Sequence, residues 1–160
     1  IELQEHIRPT HEIDLIELID YVIKTYEKII SKNNISIKFN KTDNFKIIGD
    51  RDKLIEIFTN LIDNSIKYSD KNKKITITAK KDGGFNVVSV ADQGIGIPKE
   101  SIHRITERFF TVDPSKSRSV GGTGLGLAIV KHLVSQHRAE MDINSVENEG
   151  TTIDIKFNSL

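Results

Sequence analysis

Apolar residues along this chain recur with two distinct periods. Between residues 15 and 31, Leu15, Ile16, Leu18, Ile19, Val22, Ile23, Tyr26, Ile29 and Ile30 repeat at helical spacing and predict one continuous helix. Residues 50–68 carry the most regular helical pattern. At roughly 100° per residue, Leu54, Ile55, Phe58, Leu61, Ile62 and Ile66 fall on one stripe, and Asp50 stands where an N-cap belongs. Strict alternation predicts strands at 35–39, 75–79 and 85–90, with 45–48 as a short partner of the first. Gly83-Gly84 joins two of these strands as a hairpin. A short helix is expected over 99–104 and a longer one over 123–137. Strands at 141–146 and 151–157 close the chain as a hairpin turning at Glu149-Gly150. Residues 1–7 read as the end of a helix stopped near Pro9. Strands and helices come in blocks rather than as repeated βαβ units. The expected fold class is therefore α+β, a two-layer α/β sandwich: a mixed, mostly antiparallel sheet of about five main strands, covered on one face by about three helices.

Residues 105–122 fit neither period and carry Pro114 and Gly121-Gly122. A loop of this length inside a compact domain is usually a functional lid or a disordered segment. The chain opens at Ile1 in helix-like text, so the expectation is a domain excised from a longer protein. Residues 1–9 would be the end of an upstream helix and its linker, and 10–160 the domain itself.

Bulk composition narrows the function classes. The 160 residues are 37% hydrophobic and 29% charged, as in a soluble globular domain. With 23 basic and 23 acidic residues the formal net charge is zero, so no global field favours nucleic acid or an anionic membrane surface. The absence of cysteine rules out a disulfide framework and a thiolate metal site. No apolar run is long enough to span a bilayer.

Three clusters carry candidate chemistry. Asn60, Asn64 and Lys67 share a narrow sector beside the apolar stripe of 50–68, with Tyr68 on the border. Asparagine is a mediocre helix former, so the trio is either a solvated face or the edge of a cleft. Asp92-Gln93-Gly94-Ile95-Gly96 follows a strand. An acid there can accept hydrogen bonds from an exocyclic amine, and Gly94 and Gly96 would let a flat ring pass against the backbone. Gly121-Gly122-Thr123-Gly124-Leu125-Gly126-Leu127 opens a helix, where backbone N–H groups and the positive helix end suit phosphate. Neither glycine cluster is a dinucleotide fingerprint, since Leu127 stands where glycine is needed. Neither is a P-loop, because Gly-Lys-Ser/Thr is absent.

Taken together these segments resemble, in order and with similar spacing, the boxes of sensor histidine kinases. Asn60-xxx-Asn64-xx-Lys67-Tyr68 is similar to the N box, Asp92-Gln93-Gly94-Ile95-Gly96-Ile97-Pro98 to the first glycine box, and Glu107-Arg108-Phe109-Phe110 to the F box. Gly122-Thr123-Gly124-Leu125-Gly126-Leu127 is similar to the second glycine box, and Gly150-Thr151-Thr152 to the final Gly-Thr element. The resemblance implies a catalytic and ATP-binding domain of the Bergerat type, shared with gyrase B and Hsp90, and most like the phosphate-regulon sensor kinases.

By that resemblance, Asn64 would hold Mg²⁺ bridging the ATP phosphates, and Asn60 and Lys67 would act at the phosphates. Tyr68 would flank the nucleotide. Asp92 would read the adenine amine in a pocket shaped by Gly94, Gly96 and Ile97. Arg108, Phe109, Lys116 and Arg118 would contribute from the lid. Gly122, Thr123, Gly124, Leu125, Gly126 and Leu127 would close on the phosphates, and Thr152 would sit behind the adenine. The implied cofactors are ATP and Mg²⁺. The implied partners are the protein's own dimerisation and phosphoacceptor domain and a response regulator. The implied setting is a cytoplasmic, monomeric domain of a membrane sensor, without membrane or nucleic-acid contact of its own.

Departures from the pattern mark alternatives. Gyrase-like ATPases place a glutamate where this chain has Asn60, which argues for transfer to protein rather than hydrolysis. Relatives often carry arginine where this chain has Thr111, and Gly-Gly where it has Arg138-Ala139. An anti-sigma-type serine kinase of the same fold, or a nucleotide-binding regulatory module without transfer activity, are the rival readings. His11-Glu12 looks like a phosphoacceptor box, but Ile13-Asp14-Leu15 follows it, so His11 is read as an ordinary linker residue.

Overall fold

Alternation at period two sends every second side chain of a strand to one face, and in this protein that face is roofed by helices. The computed structural model describes residues 11–69, 73–112 and 124–160. In chain order its elements are β1 (His11–Asp14), α1 (Leu15–Thr25), α2 (Glu27–Lys32), β2 (Ser36–Asn40), β3 (Lys46–Gly49), α3 (Arg51–Lys67), β4 (Lys74–Asp82), β5 (Phe85–Asp92), a 3₁₀ helix (Lys99–Arg104), α4 (Gly126–Gln136), β6 (Glu140–Val146) and β7 (Gly150–Asn158). Among the described residues the main sheet has five strands in the order β2-β4-β5-β7-β6. β2 runs parallel to β4, and the other pairings are antiparallel. The expected α+β sandwich is the observed architecture.

The core lies between sheet and helices. Ile75 and Ile77 of β4, Val88 and Val90 of β5, and Ile153, Ile155 and Phe157 of β7 are buried against Leu54, Ile57, Phe58, Leu61 and Ile62 of α3. Leu127, Val130, Leu133 and Val134 of α4 and Leu15, Leu18, Ile19 and Val22 of α1 complete it. Asp14 caps α1 by accepting from the Ile16 and Glu17 N–H groups, and Asp50 caps α3 by accepting from Lys53 N–H at 3.1 Å. Among the described residues no helix is long and apolar enough to cross a membrane.

Three expectations need correction. The segment expected as one helix over 15–31 breaks at Tyr26. The Thr25 hydroxyl takes the Val22 carbonyl at 2.7 Å, and the Tyr26 N–H turns instead to Ile23 O at 3.0 Å. A threonine that bonds back onto its own helix competes with the ladder in this way. Next, β3 does not pair with β2. It pairs antiparallel with β1, Ile13 opposite Ile47, with a Lys46–Glu12 ion pair at 3.3 Å alongside. His11 therefore begins a strand rather than lying in a linker. Finally, α4 begins at Gly126 rather than 123, and it ends at Gln136.

The C-terminal end of α4 shows how the chain manages without the Gly-Gly that the resemblance leads one to expect. Arg138 takes the left-handed conformation at φ +54°, with its N–H on Ser135 O and the Ala139 N–H on Val134 O. Glycine is the favoured residue at such a position because a Cβ is strained there. Arg138→Gly is expected to raise the unfolding free energy by about 0.5–1 kcal/mol. Urea denaturation checks this, and a midpoint at or below the parent's would contradict it.

Candidate functional site

The stripe of α3 faces the core, so the residues beside it reach the helix edge where α3 meets the start of α4. There a cavity of about 290 Å³ opens, lined by Asn60, Asn64, Lys67 and Tyr68 from α3, by Asp92, Ile95, Gly96 and Ile97, and by Gly124, Leu125, Gly126 and Leu127. Phe110, Thr111 and Val112 border it from the segment that follows the 3₁₀ helix, and Thr151 and Ile153 of β7 lie at its floor.

One end of the cavity is built around a carboxylate. Asp92 closes β5 on the helix-facing side, in step with Val88 and Val90. Its Oδ1 accepts from Gly94 N–H at 2.9 Å and from Thr151 N–H at 3.2 Å. Burial pushes its pKa up from the usual carboxylate value. The Gly94 and Thr151 N–H groups and the Ser65 hydroxyl pull the other way and offset part of that cost. Ile97 N–H bonds to Ser145 Oγ at 2.8 Å, which fixes the turn after Asp92 against β6.

The glycines of this turn serve packing more than ligand clearance. A Cβ at Gly94 would meet the Tyr68 carbonyl carbon at 3.0 Å, and one at Gly96, where φ is +69°, the Val146 carbonyl carbon at 2.8 Å. Gly96 lines the cavity, and Gly94 is not among its lining residues.

The other end presents neutral oxygens to a helix start. Asn60 Nδ2 donates to Glu56 O at 2.9 Å. Asn60 Oδ1 lies 3.5 Å, and Asn64 Oδ1 4.0 Å, from the position a Cβ would take on Gly126. A side chain at 126 would thus fill the space between the two carboxamides and the helix. Leu125 at the N-cap position makes no side-chain cap hydrogen bond, and no acidic residue stands in the first turn of α4. First-turn N–H groups of a helix have no intrahelical acceptor, which makes such an end receptive to anions. Lys67 Nζ pairs with Asp63 at 2.8 Å on the same rim. Among the described residues no group of three or more His, Asp or Glu side chains is placed to hold a metal. The donors available here are amide oxygens, which suit a hard cation already carrying water and phosphate ligands.

The structure therefore brings together Asn60, Asn64, Lys67, Tyr68, Asp92, Gly96, Ile97, Gly124, Leu125, Gly126 and Leu127. It does not bring in Arg108 and Phe109, which are exposed, Phe109 by 73%. Phe110 faces the cavity instead, with the Arg104 guanidinium 4.6 Å from its ring centroid. Thr152 is replaced by Thr151, because Thr151 shares the face of buried Ile153 and Thr152 the opposite one. Lys116, Arg118, Gly122 and Thr123 lie outside the described residues. Ser65 and Thr151 were missed. Ser65 had a readable signal, a hydroxyl on the inward side of a helix that otherwise turns apolar residues there.

Comparison with known proteins adds four findings. The profile of the family described as histidine kinase-, DNA gyrase B-, and HSP90-like ATPase matches residues 49–159. The sensor-like histidine kinase SenX3 of Mycolicibacterium smegmatis is 33% identical over 153 residues, which cover 96% of this chain but 40% of SenX3. The catalytic domain of histidine kinase ThkA superposes with a TM-score of 0.81 at 30% identity, covering 93% of this chain and 95% of that one. ThkA has also been solved in complex with the response regulator protein TrrA. That ThkA chain matches with a TM-score of 0.78 at 28% identity, over 94% of this chain and 42% of its own length.

The carboxylate end yields a test of its own. A carboxyl whose folded pKa is raised contributes stability below its unfolded pKa, and that contribution is lost as pH rises through the folded value. Asp92 therefore costs stability at neutral pH. An amide in its place keeps an oxygen for the Gly94 and Thr151 N–H groups without burying a charge. Asp92→Asn is expected to unfold at an equal or higher urea midpoint than the parent at pH 7, with the advantage shrinking in acid. A clearly lower midpoint at pH 7 would contradict this account of the site.

Proposed function

The chain belongs to the histidine kinase-, DNA gyrase B- and HSP90-like ATPase family, and from that premise we propose that it binds Mg-ATP and donates the γ-phosphoryl to a histidine on a separate phosphoacceptor domain. The carrying observation is one cavity with an amine-accepting carboxylate at one end and a helix start flanked by two asparagine oxygens at the other. Asp92 Oδ1 accepts from two backbone N–H groups, and the Ser65 hydroxyl also bonds the carboxylate. The acceptor lone pairs that remain on Oδ2 would take the adenine amine. Ile97, Leu127 and Ile153 offer apolar surface to the ring. The phosphates lie at the first turn of α4, where helix dipole and N–H groups favour negative charge.

Asn64 would hold Mg²⁺ through its amide oxygen, with Asn60 assisting at the phosphates or a metal-bound water, and the ion, when bound, neutralises charge on the phosphates and aligns them. Lys67 exchanges its half-buried i,i+4 partner Asp63 for phosphate. Rim pairs of this kind are worth only about 0.3–0.5 kcal/mol, so the exchange costs little. Attack by an imidazole nitrogen forms the N–P bond as the bond from phosphorus to the ADP oxygen breaks. Asn60 supplies no proton acceptor for water. That favours transfer to a protein acceptor over hydrolysis and separates the reading from a gyrase-like ATPase.

The chain spans 40% of the length of SenX3, so the acceptor histidine is assigned to the protein's remaining part and not to His11. The response-regulator partner is proposed by analogy with the ThkA complex. A second reading, a nucleotide-binding module without transfer, is favoured by Thr111, which lines the cavity in place of an arginine.

Two measurements test the proposal. Asn64→Ala is expected to weaken Mg-dependent nucleotide binding by roughly tenfold or more, about 1.4 kcal/mol. Asp92→Asn should lose a similar factor, because its NH₂ would face the adenine amine donor to donor. Calorimetric titration reads both. Labelled ATP supplied with a phosphoacceptor domain should label that domain. Binding without label would leave the regulatory module as the surviving reading.

A further inference from the structure

Helices α3 and α4 lie antiparallel and meet at both ends. At one end Gly126 faces Asn60 and Asn64 across the cleft. At the other, His137 follows the last residue of α4 and is 9% exposed. Its Nε2 accepts from the Asp50 N–H at 3.1 Å, and its Nδ1 donates to Leu133 O at 2.8 Å. Both bonds together require a neutral ring with the proton on Nδ1. Phe157 packs edge-on against the imidazole, with centroids 6.5 Å apart. Gly49 leaves it room, since a Cβ there would sit 3.4 Å from Cδ2 and Nε2. Asp50 is also the N-cap of α3. One imidazole therefore ties the residue that starts α3 to the end of α4.

We propose that His137 is a positioning residue, whose neutral imidazole pins the closed end of the α3–α4 pair and so sets the width of the nucleotide cleft at the open end. The inference rests on the nucleotide-binding reading above. The lever is long: Asp50 and Asn64 are separated by roughly 20 Å along α3. A tilt of about 5° at the pin would shift the asparagines by roughly 2 Å, enough to break the spacing that phosphate and metal ligands require.

The pin is also a proton switch. Protonation turns Nε2 from acceptor to donor and sets it against the Asp50 N–H. The charged groups facing the ring are Asp50 and Lys53 of α3. β3 presents Gly49 and β7 Phe157, neither of which titrates. Burial lowers the pKa of the ring below the usual histidine value, and Lys53 adds to this, while the Leu133 carbonyl and Asp50 oppose it. The neutral pin is thus intact at neutral pH and is lost as the pH falls through that lowered value.

The test is Mg-ADP affinity of the 160-residue chain, measured calorimetrically over about pH 5 to 8, for the parent, His137→Gln and His137→Ala, with circular dichroism reporting the folded fraction. Glutamine keeps an acceptor for the Asp50 N–H and cannot titrate. We expect His137→Gln to bind within roughly twofold of the parent at pH 7.5, and His137→Ala roughly five- to tenfold more weakly, the scale of one lost hydrogen bond. On acidification the parent should lose roughly five- to tenfold more affinity than His137→Gln. Titration of Asp92 and of the nucleotide is common to both proteins and cancels in that comparison. Superimposable pH profiles for parent and His137→Gln overturn the inference, as does parent-like affinity in folded His137→Ala. If the alanine variant does not fold, the parent and glutamine profiles decide alone. Absence of nucleotide binding by the parent at pH 7.5 would overturn the functional reading, and this inference with it.

Discussion

The antiparallel register of β5 on β7 sets Val88 opposite Ile155, Val90 opposite Ile153 and Asp92 opposite Thr151. Because side chains alternate with period two, these six residues share one face, and the row that builds the core runs directly into the row that builds the site. Each buried aliphatic side chain contributes about 1.5–3 kcal/mol, so a slip of one residue, which would expose the whole row, is strongly disfavoured. That same register holds the Asp92 carboxylate inside, where burial raises its pKa. Core packing thus keeps in place a group that would otherwise turn to water.

The second wall of the site comes from the helical layer. α3 presents Leu54, Ile57, Phe58, Leu61 and Ile62 to the sheet, which leaves Asn60 and Asn64 at the margin where α4 begins. At the first position of α4, Gly126 faces the two carboxamides, whose oxygens stand 3.5 and 4.0 Å from where its Cβ would lie, so a larger side chain there would take up the space between them. The two helices are tied at their far ends through His137 and Asp50. The pair therefore opens only where polar groups gather, and the apolar seam closes the rest.

Most of the elements were legible because each rests on a local signal: helical stripes, alternating strands, the Asp50 cap and the Gly83-Gly84 hairpin. What was not legible depends on contacts distant in sequence. Alternation in 46–49 shows that a strand forms, but the choice of β1 over β2 as its partner depends on residues that read as linker, since β1 buries only Ile13. Within the site, Asn60, Asn64, Lys67 and Asp92 stood out as polar residues beside apolar rows. Thr152 came from the resemblance alone, whereas the alternation of Ile153, Ile155 and Phe157 already puts Thr151 on the inward face. Phe109 and Phe110 are adjacent aromatics of opposite fate. Phe109 sits at φ +63° with its N–H on Gly124 O at 2.8 Å, a long-range contact that no local pattern announces.

The break at Tyr26, also invisible to periodicity, bears on how the rim tolerates a polyanion. Asp63 lies on that rim and would repel phosphate if it stood alone. It is paired with Lys67 at 2.8 Å, and its charge is felt by the Tyr26 hydroxyl nearby. The Tyr26 hydroxyl donates to Thr59 O at 3.5 Å, and its pKa is pushed up to about 12, first by burial and then by the Asp63 charge. A phenol held this firmly protonated remains a donor throughout the physiological range. When Lys67 turns toward phosphate, the neutral phenol beside Asp63 adds no further negative charge to the rim. A chain of zero net charge has no global attraction for ATP. Local arrangement of this kind, one lysine turned from a carboxylate to phosphate beside a phenol kept neutral, has to supply what long-range steering does not.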